Sequence, residues 1–144
     1  MVADDIDAAM AELSAALGLT WCGGKPTEMD LVIFGEERRV TMRIAHSLQG
    51  PPHVELIQAV PDTPWAAPSA PGVHHLCYWS EDAGKQIARL EAARWRRALG
   101  PAGASTGYLL SPSGAYVEII DPPLHDRLSS WIAAVREKAQ SGVV

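Results

Sequence analysis

Apolar residues at Ile6, Met10, Leu13 and Leu17 recur at helical spacing, and the acidic Asp4 and Asp5 before them and Gly18 after them supply a start and a stop. This pattern predicts an N-terminal helix. Two strand-like runs follow, around residues 29–34 and 40–46, with Gly35-Glu36-Glu37 as the turn between them. The turn Gln49-Gly50-Pro51-Pro52 leads into a third strand, His53-Val54-Glu55-Leu56-Ile57. Residues 61–71 are rich in proline and alanine and read as a crossing linker. The scheme then repeats: a strand through His75, a helix over residues 82–94 carrying Ile87 and Leu90, a Gly/Pro/Ala loop, and strands near residues 106–110 and 115–120. Asp121-Pro122-Pro123 ends the last strand, and a terminal amphipathic helix carries Leu124, Leu128, Trp131, Ile132 and Val135.

The two halves align as well as alternate. Asp4-Asp5-Ile6-Asp7-Ala8-Ala9-Met10-Ala11-Glu12-Leu13 lies over Glu81-Asp82-Ala83-Gly84-Lys85-Gln86-Ile87-Ala88-Arg89-Leu90 at an offset of 77, so acidic cap, apolar positions and leucine coincide. An internal repeat of this kind implies two copies of one supersecondary unit.

Within the strands, the chemistry sits at three positions. Successive strand side chains point to opposite faces. Val73, His75, Cys77 and Trp79 therefore share one face, opposite His74, Leu76 and Tyr78. Glu55 is set against the aliphatic pair Val54 and Leu56, and Glu118 against Val117 and Ile119. The aliphatic pairs can pack under helices while the glutamates face away. Taken singly, each glutamate fits a solvated sheet face. Together with the strand histidine His75, the two carboxylates form a ligand set for a divalent metal, because a carboxylate among apolar neighbours is costly to bury without a partner. One imidazole and two carboxylates suit zinc, manganese, cobalt, nickel or iron better than copper(I).

Composition narrows the function. At 144 residues the chain has room for one domain or for two small modules sharing a core. The net charge of −5 argues against a general nucleic-acid binder. Arg94-Trp95-Arg96-Arg97, the one concentrated basic run, reads as a solvated helix end. Arg38-Arg39 reads likewise as a solvated pair. No window approaches the roughly 18 apolar residues of a membrane span, and Met1-Val2-Ala3-Asp4-Asp5 lacks the features of a signal peptide, so a cytoplasmic protein is expected. Cys22 and Cys77 form no spaced metal or redox motif and are expected as reduced thiols.

Three segments, Val54-Glu55-Leu56-Ile57, Gly72-Val73-His74-His75-Leu76 with Asp82 seven residues past His75, and Pro112-Ser113-Gly114 leading to Val117-Glu118-Ile119, resemble the vicinal oxygen chelate superfamily, in a match that runs to about Asp121. That superfamily includes glyoxalase I, methylmalonyl-CoA epimerase, extradiol dioxygenases and bleomycin-resistance proteins. The resemblance implies an α+β fold of two paired βαβββ modules whose mixed sheets form a cup around a metal. It places a module at residues 1–60, a linker at 61–71, a second module at 72–121, and a C-terminal helix and tail at 122–144. It also implies metal ligands Glu55, His75 and Glu118, with Glu118 or Glu55 as catalytic base. His74, on the opposite face, is expected to pack or hydrogen-bond and not to ligate.

A fourth ligand would come from the first strand of the first module. By the offset of 77 its place falls at position −2, upstream of Met1, so that strand is expected to be missing apart from Met1-Val2-Ala3. His53 and His46 are the available substitutes. Tyr116, Trp79, Met42 and Ile44 are expected to line the substrate cavity. The resemblance is closest to glyoxalase I and the epimerase, since an extradiol dioxygenase would want histidine at position 55. It implies a metal-dependent isomerase or lyase that removes a proton next to a carbonyl, on a small-molecule substrate such as a thioester or 2-oxo compound. The alternatives are a metal-free binding protein of the resistance type and a non-heme iron dioxygenase. An open strand edge at the shortened module predicts a homodimer.

Overall fold

A computed structural model describes residues 1–67 and 72–141. The chain folds as a mixed α+β protein in the order β1 (Val2–Ala3), α1 (Ile6–Leu17), β2 (Trp21–Gly23), β3 (Thr27–Ile33), β4 (Glu36–Met42), β5 (Ile44–Ser47), β6 (Glu55–Gln58), β7 (His75–Trp79), α2 (Ala83–Ala92), β8 (Arg96–Pro101), β9 (Gly107–Leu110), β10 (Tyr116–Ile120) and α3 (Pro122–Ser141). The strands form two sheets, β1-β6-β5-β2 and β4-β3-β8-β9-β10-β7.

The repeat is visible in the pairing. In sheet one the first strand lies parallel to the last, Val2 opposite Ile57. In sheet two β7 lies parallel to β10, Trp79 opposite Ile120. Val2 and Trp79 are related by the same offset of 77 that relates the two helix starts. β1 is a two-residue strand, and the Met1 amino group donates to the Glu55 carbonyl at 2.6 Å.

Both repeat helices begin on the aspartates that the sequence singles out. Asp5 Oδ1 accepts from the Asp7 and Ala8 amides at 3.0 Å, and Asp82 Oδ1 accepts from Lys85 at 2.8 Å. Such caps satisfy amide groups that the first turn leaves unpaired. Gly18, in the left-handed region at φ 67°, ends α1. α1 buries Ile6 against Ala45 and Leu56 of sheet one, and α2 buries Ala83 and Ile87 against Leu109 and Ile119 of sheet two. Leu56 beside Glu55, and Val117 and Ile119 beside Glu118, thus do face helices. The opposite sheet faces are left for polar chemistry.

Several details depart from the sequence reading. Arg96 and Arg97 do not extend a helix but open β8, and Arg94, at φ 67°, breaks the chain out of α2. Phe34 belongs to the hairpin turn and not to the strand before it. Phe34 and Gly35 both have positive φ (49° and 94°), as a two-residue hairpin turn requires. This hairpin reaches past its own module, because β3 pairs antiparallel with β8 and so joins the first half of the chain to sheet two. Trp65, within the proline-rich stretch, is 4% exposed and packs edge-on against Tyr108 in the largest core cluster. The rest of that stretch, residues 68–71, lies outside the described residues.

α3 starts on Asp121, whose Oδ1 accepts from Leu124 at 3.0 Å. It runs back to sheet one, where Leu128, Ile132 and Val135 pack on Cys22 and Leu48, and Arg136 donates to the Leu48 carbonyl. Among the described residues no helix is long and apolar enough to cross a membrane.

Candidate metal centre

The polar faces of the two sheets meet. Glu55 on β6, His75 on β7 and Glu118 on β10 bring one ligand atom each within 4.8 Å of one another. The register explains how. On sheet two, Tyr108, Glu118 and Cys77 form one row across β9, β10 and β7, and His75 sits on the same face, two residues before Cys77. On sheet one, His46 lies opposite Glu55 across β5 and β6. All three residues expected to ligate a metal therefore come together, although they derive from different sheets.

His75 is the buried centre, its side chain 3% exposed. Its Nε2 lies 2.9 Å from Glu55 Oε2 and 3.8 Å from Glu118 Oε2. Despite the short distance, Glu55 Oε2 is buried and has no hydrogen-bond partner among the described residues, so the imidazole does not point along this contact. Two groups that converge without bonding each other are placed like ligands of a common ion. A buried, unsatisfied carboxylate oxygen is costly by itself. The donor set, one nitrogen and two carboxylates, fits a divalent metal.

The carboxylates are pushed apart in acidity. Burial alone would raise Glu55, but the His46 and His75 imidazoles overcome it and hold the carboxyl down, at about 2. Burial and the negative charge of Glu55 push Glu118 up, to about 8. Between the ordinary carboxyl value of 4.5 and 8, folded Glu118 keeps a proton that the unfolded chain has lost. Its contribution to stability in the metal-free protein therefore falls as pH rises through that window. Glu55 acts the other way, stabilising above 4.5, with the contribution lost as pH falls toward 2.

A metal must displace the Glu118 proton. Binding is expected to release about one proton per ion near pH 6.5, with affinity rising about tenfold per pH unit and levelling above pH 8. Calorimetry in buffers of different ionisation enthalpy measures this. A pH-independent affinity between 6 and 8 would mean that Glu118 is already ionised in the metal-free protein.

The remaining predicted positions have mixed fates. His46 Nε2 lies 3.2 Å from Glu55 Oε1, so of the two substitutes it is the one at the site; His53 instead contacts the Ser47 carbonyl through Nδ1 at 2.8 Å. Met42 and Ile44 line a cleft of about 610 Å³ together with Met29, Lys25, Trp131 and Val135. Trp131 packs edge-on to His46, with ring centroids 6.0 Å apart. Tyr116 is stacked on His74, and Trp79 is packed against His125 of α3. Cys77 flanks Glu118, and burial followed by that carboxyl raises its thiol pKa.

Tyr108 was not singled out by sequence. Its hydroxyl lies 3.2 Å from His75 Nε2, and burial and the two glutamates hold the phenol well above its usual pKa. The signal was the turn at residues 111–115: Ser111 and Ala115 close it, and the register it sets puts Tyr108 opposite Glu118.

Solved structures similar to this chain include a trypanothione-dependent glyoxalase I from Leishmania major, at 15% identity, covering 100% of this chain and 94% of that one with a TM-score of 0.36. The fosfomycin resistance protein FosX from Mesorhizobium loti is 14% identical, covers 90% and 92%, and has a TM-score of 0.31. Lactoylglutathione lyase from Agrobacterium tumefaciens is 23% identical, covers 86% and 90%, and has a TM-score of 0.28. A comparison with curated proteins gives no match. The family model described as glyoxalase/bleomycin resistance protein/dioxygenase superfamily matches residues 1–110, most of the chain including Glu55 and His75, and the chain belongs to that superfamily.

Proposed function

We propose that this chain is a metal-dependent isomerase or lyase, epimerase-like, that removes a proton next to the carbonyl of a small thioester or 2-oxo compound. The carrying observation is the convergence of Glu55, His75 and Glu118 around a buried, unbonded carboxylate oxygen. Zinc, manganese, cobalt, nickel or iron held by these three would supply Lewis acidity toward two substrate oxygens and stabilise charge developing beside the carbonyl.

The protein groups divide the remaining work. Glu55 lies between the His46 and His75 imidazoles and serves to hold the ion. Glu118 has no such pair of neighbours and lies at the far side of His75, so it is the base that takes the carbon-bound proton. Tyr108 stands beside both and can donate its hydroxyl hydrogen to a substrate oxygen. The apolar cleft of Met29, Met42, Ile44 and Trp131 has room for the rest of the substrate. The same reading takes the protein as a cytoplasmic homodimer, a second copy covering the edge at β1.

Incubation of candidate thioesters and 2-oxo compounds with metal-loaded protein in deuterated water tests the reading. The expected result is incorporation of one deuterium next to the carbonyl, lost in Glu118→Gln. Tight binding of an aromatic ligand to metal-free protein, with no exchange for any substrate, would replace it with the resistance-type binding role.

A further inference from the structure

We propose that His74 is a positioning residue that fixes the tautomer of His75, so that the bare Nε2 of His75 is presented to Glu55 and Glu118. The inference rests on the reading of those three residues as metal ligands, but it concerns a neighbour that ligates nothing.

The assignment follows atom by atom. His74 Nε2 lies 2.7 Å from the carbonyl oxygen of Pro64, and a carbonyl only accepts, so the hydrogen of His74 is on Nε2. An imidazole with its hydrogen on Nε2 has a bare Nδ1. That Nδ1 lies 3.0 Å from His75 Nδ1. Two bare nitrogens at this distance would repel, so His75 carries its hydrogen on Nδ1 and donates it to His74. In the neutral ring His75 Nε2 then carries the lone pair, within reach of the Tyr108 hydroxyl hydrogen at 3.2 Å.

The surroundings hold this relay still. The Pro64 carbonyl belongs to a tight turn in which Trp65 N–H donates to Thr63 Oγ1 at 3.0 Å, Thr63 O–H donates to the Val60 carbonyl at 2.8 Å, and Val60 N–H donates to the Trp65 carbonyl at 2.8 Å. Buried Trp65 anchors it in the core. The His74 ring is stacked on Tyr116 with centroids 5.0 Å apart and planes at 17°. The proline-rich stretch thus does more than connect the two halves. It supplies the fixed acceptor from which the tautomer at the site is set, and such outer partners of a ligating histidine govern affinity by about tenfold to a hundredfold.

The test uses the full chain with ¹⁵N-labelled histidine and long-range ¹H–¹⁵N correlation spectra of metal-free protein near pH 8, beside zinc titrations. Wild type is expected to show His75 with Nδ1–H. His74→Phe keeps the stack on Tyr116 but removes the acceptor; His75 is expected to shift toward Nε2–H, with zinc affinity falling about tenfold to a hundredfold. His74→Asn, whose Oδ1 can accept, is expected to keep Nδ1–H and most of the affinity, and it guards against a folding defect in the first variant. Nε2–H in wild type, or an unchanged tautomer in His74→Phe, would overturn the proposal. Absence of zinc binding in wild type with Nδ1–H in place would remove the metal reading and leave the His74 assignment standing.

Discussion

His75→Ala is expected to abolish stoichiometric metal binding, lowering affinity by more than the hundredfold or so that marks the loss of an outer hydrogen-bond partner. His75 is the only nitrogen donor among the three converging groups and the most buried of them. Without it, two carboxylates on opposite sheets must hold the ion with solvent filling the gap. Metal analysis of the purified variant reads the effect, and unchanged metal content would rule out this site. Circular dichroism separates ligand loss from unfolding.

Leu109→Ala is the change with the largest expected cost to the fold. Tyr108 and Leu109 are consecutive on β9 and point to opposite faces, the first to the site and the second under α2 with Ala83, Ile87 and Ile119. Leu109 is fully buried, and truncating such a leucine costs about 2–5 kcal/mol through lost transfer energy and the cavity left behind. That is a large fraction of a typical domain's stability and corresponds to a fall in Tm on the order of 10 °C. Leu76 is the control. It also lies on a strand of sheet two but is 67% exposed, so Leu76→Ala should stay within about 0.5 kcal/mol. Thermal melts of the pair decide it; equal effects would mean that Leu109 is not packed under α2 as described.

The three converging residues were legible because strand alternation has an unambiguous period, and a glutamate set between aliphatics on such a strand must face away from the helix side. The caps at Asp5 and Asp82 and the repeat offset were legible for a similar local reason. β8 was not. It runs between β3 and β9 with Ala98, Leu99 and Gly100 buried, and a strand buried on both faces shows no polar alternation. Its glycine suggested a loop, yet Gly100 and Gly107 are where neighbouring backbones press close: a Cβ on Gly107 would meet the Leu99 carbonyl oxygen at 2.4 Å, and one on Gly100 the Thr106 carbonyl oxygen at 2.7 Å. Trp65 and Tyr108 escaped notice because an aromatic residue carries no local mark of its distant partner. The β3–β8 pairing, which joins the two halves, depends on contacts about 70 residues apart, and no window of sequence encodes it.

The central claim is that Glu55, His75 and Glu118 hold one divalent ion, and an anomalous difference map tests it most directly. Crystals of wild-type protein grown with zinc or cobalt and measured at the metal edge are predicted to show a single strong peak between sheet one and sheet two. It should lie about 2.0–2.3 Å from His75 Nε2 and from a carboxylate oxygen of each glutamate. A peak held elsewhere, or no peak at these three side chains in protein saturated with metal, would contradict the account.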